Sequence, residues 1–246
     1  MLRAELLKLW TTRAPVWSVL TVVVLSVGLA AIQASVGSAR TPIEPERAAV
    51  GVATFGVPVL LILAALTVTG EYRTGMIRTT FLAMPRRTYV LWTKALVTAW
   101  FSGLTAALTV VAAVVSVRVV GTDRQAAELS LTESAVWRTA GAVGLFAALG
   151  AVLAVGLGVL VRHSAGVIAI LLLLPFVVEP LVGTLPQVGE KVGPLLPFAN
   201  AYAFTGVPSL QTFAMWWGPM GALLYFAAVT AVVAVIAVAD INRRDP

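Results

Sequence analysis

Three places in this chain hold side chains able to do chemistry. The first is Glu179. It follows fourteen apolar or small residues counted from Ala165, about 21 Å of helix at 1.5 Å per residue. That depth puts a carboxylate in the outer third of a bilayer's hydrocarbon, where ionisable groups are functional candidates. Pro175 and Pro180 flank it, and a kink there could instead lift it to the outer interface. The second place is His163 beside Ser164. A serine nucleophile needs an oriented base and an oxyanion site, and nothing around this pair supplies them, so His163 reads as interfacial. The third is the stretch Gly70–Arg87, where Glu71, Arg73, Arg78, Arg86 and Arg87 surround Tyr72, Met76, Ile77 and Phe81. There are no cysteines, so disulfide and thiolate chemistry are excluded. One histidine with scattered carboxylates builds no zinc site.

The elements that must position these residues are membrane spans. Hydrophobic residues make up 59% of the chain and charged residues 11%, with a mean hydropathy of +0.95. A soluble domain carries roughly 25% charged residues. Apolar runs long enough to cross ~30 Å of hydrocarbon as helices occupy Val16–Ala34, Val50–Thr69, Leu91–Val117, Arg138–Val161, Ala165–Gly183 and Gly218–Ala239. Helices are required because a lipid-facing backbone must satisfy its own hydrogen bonds, and no alternating barrel strands occur. The expected fold is an all-α polytopic membrane protein, one transmembrane domain over residues 1–246. The first apolar run is near 19 residues, longer than the roughly 7–15 of a cleaved signal's core, so it is expected to stay as a span.

Six spans put both termini on one side. That side carries 11 of the 17 Lys and Arg and four of the 11 acids, for +7 against −1 opposite. Positive-inside orientation then places both termini in the cytoplasm of a plasma-membrane protein. The net charge of +6 comes from loops rather than one face, so nucleic acid is not an expected partner; the lipid bilayer is.

Leu2, Leu6, Leu9 and Trp10 share one helical face, giving an amphipathic helix over residues 1–14 lying in the inner interface. It reads as an anchor or as an elbow helix that also touches a partner. In the 70–87 stretch, Tyr72, Met76, Ile77 and Phe81 are expected to share a helical face parallel to the membrane. Gly75 offers a break, and Pro85 stops the helix. The other reading is a solvated basic loop. Gly150, Ala154 and Gly158, like Gly103 and Ala107, let helices approach closely; packing inside one chain is preferred to a dimer seam. The long loop from Thr184 to Trp217 contains Leu195–Phe198 and Ala201–Phe204, expected to dip back into the membrane as short re-entrant helices.

Glu71, Gly75, Ile77, Pro85 and Arg87, followed by Lys94, resemble the Glu-x-x-x-Gly-x-Ile/Leu … Pro-x-Arg … Lys order of exporter-type ABC transporter permeases, the type-2 permease family. Glu5-Leu6-Leu7-Lys8-Leu9 with Thr11-Thr12-Arg13, and Leu196-Pro197 followed by Asn200-Ala201, are similar to its actinobacterial members. Met76 departs from the threonine common there. The resemblance implies a permease dimer, with an identical or paralogous second chain, docked on two copies of a cytoplasmic ATPase subunit. Glu71, Tyr72, Arg73, Gly75, Met76, Ile77, Arg78 and Phe81 would then form a coupling helix, with Glu71 pairing with a nearby basic group. Arg162 and His163 would be a second cytoplasmic contact, and Glu179 and Asn200 candidates for transport or gating. The chain has no Gly-x-x-x-x-Gly-Lys-Ser/Thr, so ATP and Mg would sit on the partner and no cofactor on this chain. It would not itself be an enzyme. Replacing Glu71 by alanine is expected to spare insertion and dimerisation but uncouple transport.

Two other classes compete. An ion-coupled secondary transporter or channel usually holds several midplane charges or an inverted repeat; here the deep charges reduce to Glu179, and no repeat is obvious. An intramembrane hydrolase needs a buried Ser/His pair or facing aspartates. The apolar, weakly charged walls favour lipophilic or amphipathic cargo.

Overall fold

The computed structural model describes residues 11, 13–76, 79 and 86–243. Among these, six helices are long and apolar enough to cross a membrane: α1 (Arg13–Val36), α2 (Pro45–Thr74), α3 (Arg87–Val120), α4 (Ser134–Val161), α5 (Ser164–Thr184) and α8 (Pro219–Arg243). Between α5 and α8 lie α6 (Val188–Val192), a 3-10 turn (Gly193–Leu195) and α7 (Pro197–Thr205). The protein is an all-α polytopic membrane protein. The expected spans are all present, each helix reaching a few residues past the apolar run because its polar end residues also take helical dihedrals. Leu2, Leu6, Leu9 and Trp10 of the expected amphipathic helix lie outside the described residues.

Helices α2 and α4 form the centre. Two-thirds of the most apolar stretch of each is buried, against 17–33% for the other four. The outer helices instead expose rows such as Leu96, Trp100, Leu104 and Leu108 on α3 and Val232, Val235 and Ile236 on α8, which in a bilayer would meet lipid. Small residues set the inner spacing. A Cβ on Gly103 of α3 would stand 3.0 Å from the Gly144 carbonyl of α4, and one on Gly144 would stand 3.0 Å from the Gly103 carbonyl. Gly150 and Gly158 face Leu61 and Ala65 of α2. These stripes pack inside the chain, as preferred from the sequence.

Two helices carry a wide turn, Val52–Gly56 in α2 and Leu174–Val178 in α5. Each turn ends two residues before a proline, Pro58 and Pro180. A proline ring clashes with the carbonyl four residues back, and a wider turn relieves the clash. In α2 the Val57 N–H bonds the Val52 carbonyl. The same register would hand the Ala53 carbonyl to residue 58, a proline with no N–H. Tyr202 Oη donates to that carbonyl instead, at 3.1 Å.

Tyr202 belongs to α7, which packs into the bundle. Proline at its first position loses no hydrogen bond, and Gly206 at φ 71° ends it. Phe198 and Tyr202 meet Phe146 of α4 edge-on at 6.4 and 5.6 Å, and Phe226 of α8 completes the cluster. Phe146 is twelve residues from Ser134, so α7 reaches about 18 Å down α4.

Candidate functional site

At the end of the bundle where α1 begins and α8 ends, buried polar contacts tie the helices together. Glu71 stands in the last turn of α2, and Lys94 lies two turns into α3. Lys94 Nζ donates to Glu71 Oε1 at 2.7 Å, with the side chains 2% and 7% exposed, and to the Thr67 carbonyl at 3.5 Å. An ammonium and a carboxylate taken out of water hold each other strongly only at such short range. The pair therefore pins the two roots of the α2–α3 connection to each other.

Tyr72, the next residue, is half-buried beneath Arg162, whose guanidinium lies 5.3 Å from the ring centre. Arg162 Nη2 donates to Asp240 Oδ2 of α8 at 3.1 Å. Arg162 also ends α4 in the left-handed region, at φ 57°. Ser164 Oγ and Thr69 Oγ1 of α2 lie 3.0 Å apart. His163 is exposed and caps α5, its Nδ1 accepting from the Gly166 N–H at 3.4 Å. Arg87 Nη1 donates to the Ile241 carbonyl at 3.2 Å, and Thr88 meets Asn242. The α2 root is thus joined to α3, to the α4–α5 hairpin and, through Arg162, to α8.

The expected site residues divide by position. Glu71 and Tyr72 point into the bundle. Arg73, Gly75 and Met76 are exposed. Ile77, Arg78 and Phe81 lie outside the described residues. Tyr72 and Met76 do not share one continuous helix: α2 runs through Tyr72 to Thr74, and Gly75 at φ 71° ends it. Only glycine takes that conformation without strain, which is why the break falls there. Glu71's basic partner is Lys94, so alanine at position 71 takes the carboxylate away from a buried ammonium.

Lys94, Asp240 and Thr69 were not singled out from sequence as members of this network. A signal existed for Lys94, a lysine inside an apolar span, which must find a counter-charge. None existed for Asp240, whose partner is 78 residues away.

At the opposite end Glu179 is 5% exposed. Its Oε1 accepts from the Phe198 N–H at 2.9 Å and its Oε2 from the Ala199 N–H at 2.6 Å. It therefore caps α7, satisfying donors that a helix start leaves open. Asn200 Nδ2 donates to the Pro194 and Leu196 carbonyls, and its Oδ1 accepts from Trp217 Nε1 at 2.7 Å. Its Nδ2 holds the turn before α7 and its Oδ1 ties down the loop after it. Among the described residues no group of three His, Cys, Asp or Glu side chains could hold a metal ion.

A family model described as a protein of unknown function, DUF2705, matches residues 51–246. The chain belongs to this family. The matched part runs from inside α2 through α8, so it includes Glu71, Lys94, Arg162, Glu179 and Asp240. No curated protein and no solved structure matches the chain.

Proposed function

We propose that this protein is the membrane-spanning subunit of an ATP-driven ABC exporter, working as a permease dimer on two separate cytoplasmic ATPase subunits. The observation that carries this reading is the clamp at the α2–α3 connection. A push on an unanchored loop moves only the loop. Here Glu71–Lys94 locks both roots of the connection. Tyr72, Arg162 and Asp240 pass displacement on to α4, α5 and α8. Arg73 and Met76 stand exposed beside the Gly75 break, on the surface a partner would meet. In this reading both termini and the connection face the cytoplasm of a plasma-membrane protein. ATP and Mg bind the partner, and the chain's own part is mechanical.

The test uses the absence of cysteine from the natural sequence. Arg73→Cys, Met76→Cys and, at the far end, Leu210→Cys carry a photo-crosslinker in native membranes. The reading predicts that positions 73 and 76 capture a nucleotide-binding subunit and position 210 does not. Capture from position 210 alone, or from none, overturns it.

A further inference from the structure

We infer that the far half of the bundle holds a binding site for a lipophilic organic cation. The inference rests on the exporter reading only in treating that ligand as cargo. A cavity of about 500 Å³ lies among α1, α2, α5, α7 and the loop after α7. That volume falls in the range of small-molecule sites, ~300–1,000 Å³. Its walls are mostly apolar, with Leu29, Phe55, Phe176 and Phe213 among them. Helices α1 and α5 each pack on α2 but make no extended contact with each other, so the cavity opens between them. Phe55, 47% exposed, and Leu210, 71% exposed, stand at its rim.

Two features of this cavity point to a positive ligand. First, Glu179 is an acidic side chain lining it, and among the described residues no Lys, Arg or His does. Each carboxylate oxygen takes one α7 N–H and keeps a further lone pair. Second, both wide turns line it, through Thr54 and Phe55 in α2 and Pro175 and Phe176 in α5. In α5 the Glu179 N–H bonds the Leu174 carbonyl. The same register would pass the Pro175 carbonyl to residue 180, again a proline. In α2 the equivalent carbonyl is taken by Tyr202; in α5 residue 180 has no N–H to offer it. An acidic side chain and two wide turns thus border one apolar chamber, with no cationic side chain among the described residues that line it. An organic cation with apolar substituents matches both the walls and the charge, and a lipophilic anion of equal size is repelled.

The experiment measures saturable binding of tetraphenylphosphonium and of its size-matched anion tetraphenylborate to the purified chain in nanodiscs, with protein-free nanodiscs subtracted. No ATPase is present, so the result does not depend on the exporter reading. The wild type is expected to bind the cation at least tenfold more tightly than the anion. Ser209→Trp, on the exposed loop of the cavity wall, is expected to weaken cation binding at least tenfold without touching the carboxylate. Glu179→Gln, which keeps an acceptor for α7, is expected to remove the cation preference. Equal binding of the two ions by the wild type, or unchanged cation binding in Ser209→Trp, overturns the inference. Either result is readable even if Glu179→Gln fails to fold.

Discussion

Removing one member of the Glu71–Lys94 pair should cost far more than removing both. At 2.7 Å and an effective dielectric of ~20, the attraction is about 6 kcal/mol. Desolvating two buried ions offsets much of it, by several kcal/mol each. Lys94→Met forfeits the attraction while leaving the Glu71 carboxylate buried, so it is expected to destabilise by about 3–5 kcal/mol. Glu71→Met should cost a similar amount, for the mirror reason. The double variant replaces two ions by two flexible apolar chains of similar length, and is expected to lie within about 1–2 kcal/mol of the wild type. Reversible unfolding in mixed micelles reads all four proteins and gives the coupling directly. A cost below about 1 kcal/mol for Lys94→Met, or a double variant equal to the sum of the singles, would refute the idea that this pair locks the two helix roots. The double variant also separates stability from coupling. If the charges hold the connection at the angle an ATPase needs, it folds but supports less transport.

Three more outcomes follow from local geometry. Gly141 and Gly144 are one turn apart on α4, yet a Cβ meets nothing within 4 Å at the first and the Gly103 carbonyl at 3.0 Å at the second. Gly141→Ala should stabilise by roughly 0.5–1 kcal/mol and Gly144→Ala destabilise by about 1–3 kcal/mol, measured by the same unfolding titration. Arg162→Gly and Arg162→Ala both lose the ring contact and the Asp240 bond. Because residue 162 sits at φ 57°, the glycine variant should be the more stable by about 1 kcal/mol, and the reverse order in thermal melts would contradict the conformational argument. Glu179→Ala leaves two α7 N–H groups without their acceptor and should cost about 1–3 kcal/mol. Glu179→Gln, keeping one acceptor, should cost clearly less; equal melting temperatures for the two would deny the capping role.

The spans were legible because bilayer thickness demands about twenty apolar residues in a row, and the chain supplies six such runs. The place of Glu179 toward the far end of α5 was legible in the same way, by counting from Ala165. The residue that meets it was not. Its partners are the backbone N–H groups of Phe198 and Ala199, 19 and 20 residues on, and any residue type there offers the same donor. The break at Gly75 was readable because left-handed backbone favours glycine. The placement of Tyr72 inside α2 was not, since nothing local says how far a span helix continues past its apolar run. The wide turns had a visible cause in Pro58 and Pro180, but the sequence does not say whether a helix answers proline with a kink or a wider turn. The Arg162–Asp240 bond depends on how α4 and α8 pack, and no spacing rule encodes it.

The central claim is that a separate ATPase drives this chain. The most direct test expresses it from its native operon, purifies it in mild detergent and weighs the intact assembly by native mass analysis. Two copies of this chain, or one with a paralogue, bound to two nucleotide-binding subunits are expected. A chain that purifies alone or as a bare oligomer, with its helices intact, would contradict it and move a secondary transporter ahead.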